Sequence, residues 1–296
     1  MKKPMLLSNE EYDLKTLDYT NMRESKKRDG VRAEVTNKGI LNRSLKILRN
    51  SKVQEYFREI YEQLPDGIIV EAEVYSDTNP CRIVAGICNS LDKDLPADLK
   101  LYFFGMYDSE LSFDERHKKL LEFKFLSSNK SVIVEQHPVK SYEDAIAYYD
   151  ACIDDGYEGA VLMDGTKKYK EGRVTIKQHI GYKIKPSRTD DLLIIGVTER
   201  MLNTNESQTN ELGHSYKRNT VDAKQSTGIA ATFICKMDSG EEPKVTITGE
   251  ESFRREIWEN KEKYIGQYCE VLSMDYGVKD KPRHPRLIKI KHSIEK

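Results

Sequence analysis

The stretch Lys27-Arg28-Asp29-Gly30-Val31-Arg32 decides the reading of this chain, together with the alternating Ala33-Glu34-Val35-Thr36 that follows it. A lysine, one spacer and Asp-Gly leading into a strand puts an amine at a tight turn, where glycine permits a backbone path closed to other residues. Such an amine can act as a nucleophile. Its neighbours Lys26 and Arg28 are expected to disfavour the ammonium form and so to enlarge the fraction able to attack. Four residues of this kind also make an ordinary surface turn, so corroboration has to come from further along the chain.

The chain has 296 residues, enough for two domains with their own cores. Its formal net charge is -1, so contact with nucleic acid must come from local basic patches rather than from a global positive field. Five cysteines, Cys81, Cys88, Cys152, Cys235 and Cys269, are odd in number and form no C-x-x-C pair, which argues against a disulfide scaffold and a structural zinc. No apolar run approaches the length of a membrane span, and the first residues lack a signal-like apolar region. The expectation is a soluble protein of a reducing, intracellular compartment, cytoplasmic or nuclear, without membrane contact.

Along the chain, Asn37-Lys38-Gly39 reads as a hairpin turn. Val53, Phe57, Ile60 and Leu64 recur at helical spacing and predict one helix, ended by Pro65-Asp66-Gly67. Ile68 to Tyr75 reads as a strand with Glu71 and Glu73 on one face. Leu101 to Tyr107 is an aromatic-rich strand. Ser112-Phe113-Asp114-Glu115 is a capping box opening a helix to about Phe123, and Ser141 is expected to cap a helix to about Asp155. Short strands follow at 132–134, at 160–163 and up to Lys185. Pro186 to Asp191 reads as a linker. Beyond it, strands at 192–198, 229–236, 244–248, 268–274 and 287–291, with a helix at 253–264, fit a small Greek-key barrel of the OB type. Residues 203–228 are polar and too long for an ordinary connection.

The charges come in a chemically coherent order. Lys27 could attack, Glu73 and Glu158 could hold a hard cation, and Lys183 with Lys185, on one face of a strand, could hold a phosphate. Mg²⁺ suits such oxygen ligands and would offset charge on a triphosphate. Each member also has a plain structural alternative: a solvated sheet face for Glu71 and Glu73, a turn for Glu158, an edge strand for the lysines.

Lys27-Arg28-Asp29-Gly30-Val31-Arg32 resembles motif I of the covalent nucleotidyltransferases, which comprise ATP-dependent DNA ligases, RNA ligases and mRNA capping enzymes. Asn42-Arg43-Ser44 resembles motif Ia, Glu71-Ala72-Glu73-Val74-Tyr75 motif III, and Phe104-Gly105-Met106-Tyr107-Asp108 motif IIIa. Tyr157-Glu158-Gly159 resembles motif IV and Tyr182-Lys183-Ile184-Lys185 motif V, in the family's order. Tyr169-Lys170-Glu171-Gly172-Arg173 is similar to an element of DNA ligases, and residues 203–228 to the DNA-binding latch of minimal virus and phage ligases. Arg283-His284-Pro285-Arg286-Leu287-Ile288-Lys289-Ile290-Lys291 resembles motif VI, with Lys291 and Glu295-Lys296 standing where the family has a late arginine and an acidic-basic pair.

The resemblance implies an α+β nucleotidyltransferase (adenylation) domain over 1–188, with antiparallel sheets and helices, followed by an all-β OB-fold domain over 189–296 with a latch-like insert. It implies that Lys27 forms a lysyl-AMP, that Lys183 and Lys185 grip the α-phosphate and that Arg32 contacts the ribose-phosphate region. Ser25 would sit near the adenine edge. Glu73 would touch the ribose and, with Glu158, support the metal. Tyr107 would stack on adenine, with Phe104 a competing assignment. Arg43 would hold the 5′-phosphate of a nick, and Arg173, Lys217, Arg218, Arg283 and Arg286 would meet DNA. The implied activity is ATP-dependent sealing of nicked duplex DNA with Mg²⁺, or Mn²⁺ in its place, the domains moving about hinge candidates at Arg188-Thr189-Asp190. No long amphipathic or heptad segment argues for assembly, so a monomer is expected. An RNA ligase or mRNA-capping-type enzyme is the alternative within the fold. A non-catalytic single-strand binder is the alternative outside it.

Overall fold

A computed structural model describes residues 3–10, 12–209, 215–217, 220, 222–276 and 281–291. The chain separates into two compact units, Met1–Lys185 and Pro186–Lys296. In the first, the strands are β1 (Met5–Leu6), β2 (Met22–Lys27), β3 (Val31–Thr36), β4 (Gly39–Asn42), β5 (Val70–Tyr75), β6 (Lys100–Met106), β7 (Ser131–Ile133), β8 (His137–Pro138), β9 (Gly159–Asp164), β10 (Gly172–Arg173) and β11 (Gly181–Ile184). The helices are α1 (Ser51–Tyr56), α2 (Arg58–Tyr61), α3 (Cys81–Cys88), α4 (Phe113–Glu122) and α5 (Tyr142–Asp154).

Strand alternation builds this unit. In the five-stranded sheet β4-β3-β5-β6-β7, Ala33, Val35, Val70, Ala72, Val74, Leu101 and Phe103 are fully buried in one core together with Val53, Phe57 and Val84. The intervening residues Arg32, Glu71, Glu73, Tyr102 and Phe104 therefore share the opposite face. In the four-stranded sheet β11-β9-β2-β8, Met22, Ala160, Leu162, Tyr182 and Ile184 pack with Ala145 and Cys152 of α5. That leaves Ser25, Lys27, Val161, Met163 and Lys183 on the other face. These two polar-bearing faces border one cavity.

The expected capping box is present, with Ser112 accepting from the Glu115 N–H and Glu115 returning to the Ser112 N–H, and Ser141 caps α5 through the Asp144 N–H. The helix expected over 53–64 is instead two short helices divided at Phe57, whose fully buried ring sits in the core.

The second unit contains β12 (Arg188–Asn203), β13 (Ser207–Thr209), β14 (Ser215–Lys217), β15 (Lys224–Lys236), β16 (Lys244–Thr246), β17 (Tyr268–Tyr276) and β18 (Pro282–Lys291), with α6 (Glu251–Glu259) and α7 (Lys261–Tyr264). Strands β12-β15-β16-β18-β17 close into a barrel around Ile194, Phe233, Val245, Val271 and Ile257 of α6. The single helix expected at 253–264 is two pieces meeting at Asn260. Arg188, Thr189 and Asp190 are not linker residues: they pair with Ser273, Leu272 and Val271 as the start of β12. The expected insert is in part an extension of the β12–β15 hairpin, with Asn203 opposite Lys224, and in part the hairpin β13–β14. Lys217 ends β14, whereas Arg218 and Glu295-Lys296 lie outside the described residues.

Candidate active site

Lys27 is the last residue of β2, opposite Gly159 at the start of β9. Gly159 has φ +143°, and a Cβ there would fall 2.1 Å from the Ile184 carbonyl oxygen. Glycine thus lets β9 and β11 approach where Glu158 and Lys185 flank them. The Lys27 ammonium is paired with Glu158, whose other oxygen lies 3.0 Å from Lys185 Nζ. Burial works to raise the Glu158 carboxyl, but Lys27 and then Lys185 outweigh it and hold it below its ordinary value.

The expectation that Lys26 and Arg28 would crowd the Lys27 charge needs revising. Lys26 pairs with Asp155 at 2.7 Å and lies over the Tyr157 ring. The Arg28 guanidinium lies 3.8 Å from the Tyr102 ring centroid and 5.1 Å from that of Tyr157. The charge set directly against Lys27 is the Glu158 carboxylate.

Across the cavity, Glu73 accepts from the Gly30 N–H at 3.1 Å. A Cβ on Gly30 would lie 2.7 Å from Glu73 Cγ, so the glycine of the turn makes room for this carboxylate. Burial pushes Glu73 up to about 7, against the pull of Lys27, Arg32 and the Gly30 N–H. Arg32 pairs with Glu71 and with Glu34 at 3.2 Å, and donates to the Met5 carbonyl at 2.8 Å. Tyr169 donates to Glu71 at 2.7 Å and accepts from the Met5 N–H at 2.7 Å. Tyr169 is buried, so within the basic run 167–170 it serves this network rather than a surface. Lys183 donates to Asn9 and, at 3.3 Å, to the Leu7 carbonyl. Burial first, then Lys185, Lys27 and Arg173, bring it down to about 8.

The cavity, of about 380 Å³, is lined by Ser25, Lys27, Arg32, Arg43, Glu73, Arg173 and Lys183 among the sequence-predicted residues. Glu158 is tied to it through Lys27, and Lys185 through Glu158. Of the two aromatic candidates, Phe104 lines the cavity, whereas the Tyr107 ring packs edge-on against Tyr169 at 4.9 Å and its hydroxyl donates to Glu171 at 2.7 Å. Arg283 and Arg286 lie on β18, where they pair with Met274 and Leu272 in register. Lys291 bridges Asp191 at 2.9 Å and Glu270 at 3.0 Å within the barrel.

Sequence reasoning missed β2 itself, because Arg23-Glu24-Ser25-Lys26-Lys27 is entirely polar. It also missed Met5, Leu7 and Asn9, brought in by pairing of β1 with β10, and the lining residues Arg116, His117 and Gln136. The chain carried no local signal for these.

A mixed α/β unit with a lysine in a cation-lined cavity, followed by a closed five-stranded barrel, is the architecture of nucleotidyltransferase/OB-fold ligases. The profile of the family described as ATP dependent DNA ligase domain matches residues 4–185, more than half of the chain, and the chain belongs to that family. A DNA ligase of African swine fever virus (isolate Pig/Kenya/KEN-50/1950) is 23% identical over 209 residues, covering 66% of this chain and 49% of the viral protein. The chain spans about half the length of the curated relatives it matches. Among solved structures, one from a study of DNA binding by Lig E DNA ligases with a minimal scaffold superposes with TM-score 0.73 at 16% identity, covering 98% of this chain and 100% of that one. Chlorella virus DNA ligase-adenylate superposes with TM-score 0.55 at 21% identity, covering 99% of each chain.

Proposed function

We propose that this protein is an ATP-dependent DNA ligase that seals 5′-phosphate/3′-hydroxyl nicks in duplex DNA. The observation that carries the reading is the position of Lys27, at the end of β2 in a cavity bordered by Arg32, Arg43, Arg173 and Lys183, with its amine held by Glu158.

The Lys27 ammonium gives up a proton to solvent, the neutral Nζ attacks the α-phosphorus of ATP, and the nitrogen sheds a second proton to solvent as the phosphoramidate forms. A phosphorus–nitrogen bond forms, the α–β phosphoanhydride breaks, and pyrophosphate leaves. Lys183 and Lys185 hold the α-phosphate oxygens, and Lys183, near 8, carries its positive charge at neutral pH. Glu158, held ionised by its two lysines, is too weak a base to take the Lys27 proton and serves to aim the amine. Arg32 and Glu73 meet the ribose, and Phe104 rather than Tyr107 stacks on the base. In the second step an oxygen of the nick 5′-phosphate, held by Arg43, displaces Lys27 from the adenylate. In the third the 3′-hydroxyl displaces AMP and the phosphodiester forms.

The family implies a divalent cation. Among the described residues no three His, Cys, Asp or Glu side chains cluster into a preformed cage, which suits Mg²⁺, or Mn²⁺ in its place, held by one or two carboxylates with substrate phosphates and water. Glu73 would hold it, and Glu158 could do so on releasing a lysine. The cation would offset charge on the triphosphate.

DNA would be held through phosphates at Arg43, Arg173, Lys217, Arg218, Arg283 and Arg286, with affinity falling steeply as salt rises. The protein would act as a monomer inside the cell. Among the described residues no helix is long and apolar enough to cross a membrane. The test is a duplex with one nick labelled on its 5′-phosphate, incubated with protein, ATP and Mg²⁺. Label that becomes resistant to phosphatase supports the reading. Label that stays sensitive on DNA but is sealed in an RNA strand would make the protein an RNA ligase, and transfer of GMP to an RNA 5′ end would make it a capping enzyme.

A further inference from the structure

Resting on the adenylation reading above, we propose that Gln136 is a specificity residue that reads the exocyclic 6-amino group of the nucleotide's purine. The register of the four-stranded sheet sets Lys183 opposite Val161, and Val161 opposite Ser25. On the far side of β2, Arg23 pairs with Pro138 and Glu24 with His137, so the next step of this antiparallel register brings Gln136 beside Ser25. Lys183, Val161, Ser25 and Gln136 thus form one row, and all four line the cavity.

Three strand spacings put Gln136 ~14 Å from Lys183. Lys185, Lys27 and Arg173 lie near enough to Lys183 to act on its charge, so a nucleotide whose phosphates lie among them can point its base along the row toward Gln136, past the apolar Val161.

At that end Gln136 Oε1 is buried without a hydrogen-bonding partner among the described residues. A buried amide oxygen left unpaired costs free energy, which a donor entering the cavity would recover. The 6-amino group of adenine is such a donor, and its neighbouring ring nitrogen accepts from the Gln136 amide N–H, a bidentate match. Two other unpartnered polar atoms among the described lining residues lie off this row: His117 Nδ1, on α4 with its ring stacked on Phe113, and Arg28 Nε, a donor in the guanidinium that lies over the Tyr102 ring.

The test compares ATP with purine riboside 5′-triphosphate, which lacks only the 6-amino group, as substrates for covalent labelling of the intact chain and of Gln136→Met. The intact chain is expected to favour ATP by ~10-fold or more, through KM rather than kcat. Gln136→Met, and Gln136→Ala should the first variant unfold, are expected to use both nucleotides alike. An ATP preference kept in the folded variant, or absent from the intact chain, overturns this inference alone. An intact chain that is never labelled by ATP overturns the parent reading and this inference with it.

Discussion

One carboxylate serves two lysines: Glu158 pairs with Lys27 through one oxygen and with Lys185, at 3.0 Å, through the other. Glu158→Gln removes the charge while keeping the shape, leaving two ammonium groups facing one amide. The Lys27 amine loses its fixed aim, and the rate of enzyme adenylation is expected to fall ~10²-fold. Stability should fall by about 1–3 kcal/mol. Single-turnover labelling and urea unfolding measure the two effects separately.

Glu73 is pushed up to about 7 by burial. If its ionised form is what meets ribose and cation, adenylation should rise as pH passes through about 7, where the carboxyl loses its proton. Glu73→Gln should be slower at every pH and should lack that rise. A pH–rate profile of the labelling step in both proteins checks it.

Gly159 combines φ +143° with a Cβ position 2.1 Å from the Ile184 carbonyl. Gly159→Ala should therefore strain the backbone and push β9 from β11, at a cost of about 3 kcal/mol or more. Because Glu158 and Lys185 flank this junction, molecules that still fold should also label slowly. Chemical denaturation combined with labelling at low temperature measures both.

Glu24 sits on the core face of β2, 3% exposed, with Oε2 unpartnered among the described residues. Burial, then the nearby Asp144 charge, raise its carboxyl from 4.5 to about 8. The fold therefore binds this proton more tightly than the unfolded chain does. The resulting stabilisation is complete below about pH 4.5 and is lost as pH rises through about 8. Relative to the wild type, Glu24→Gln should gain stability across that window, by a few kcal/mol at its upper end. Melting temperatures of both proteins from pH 5 to 9 test the sign.

What was legible in the sequence was local. The Ser112 box and the Ser141 cap are hydrogen bonds within three residues, and the Asn37-Lys38 hairpin fixes Thr36 opposite Gly39. The alternation of Glu71 and Glu73 with Val70, Ala72 and Val74 announces a strand with one polar face. What was not legible depends on distant partners. Strand β2 is polar after Met22, and only β8 and β9 on either side make it a strand. The contacts of Leu7 and Asn9 with Lys183 span more than 170 residues. Phe104 lines the cavity whereas Tyr107 does not, because β6 ends at Met106 and strand alternation places Phe104 on the cavity face. The helix expected over 53–64 breaks at Phe57, although its apolar spacing reads as continuous.

The central claim is that Lys27 is the nucleophile, and α-labelled ATP with Mg²⁺ tests it most directly, with intact protein and Lys27→Ala compared on a denaturing gel. Label on the intact chain is expected to survive denaturation and to be absent from Lys27→Ala at equal folded concentration. Label that persists on the variant would contradict it, as would an intact, folded chain that takes up none.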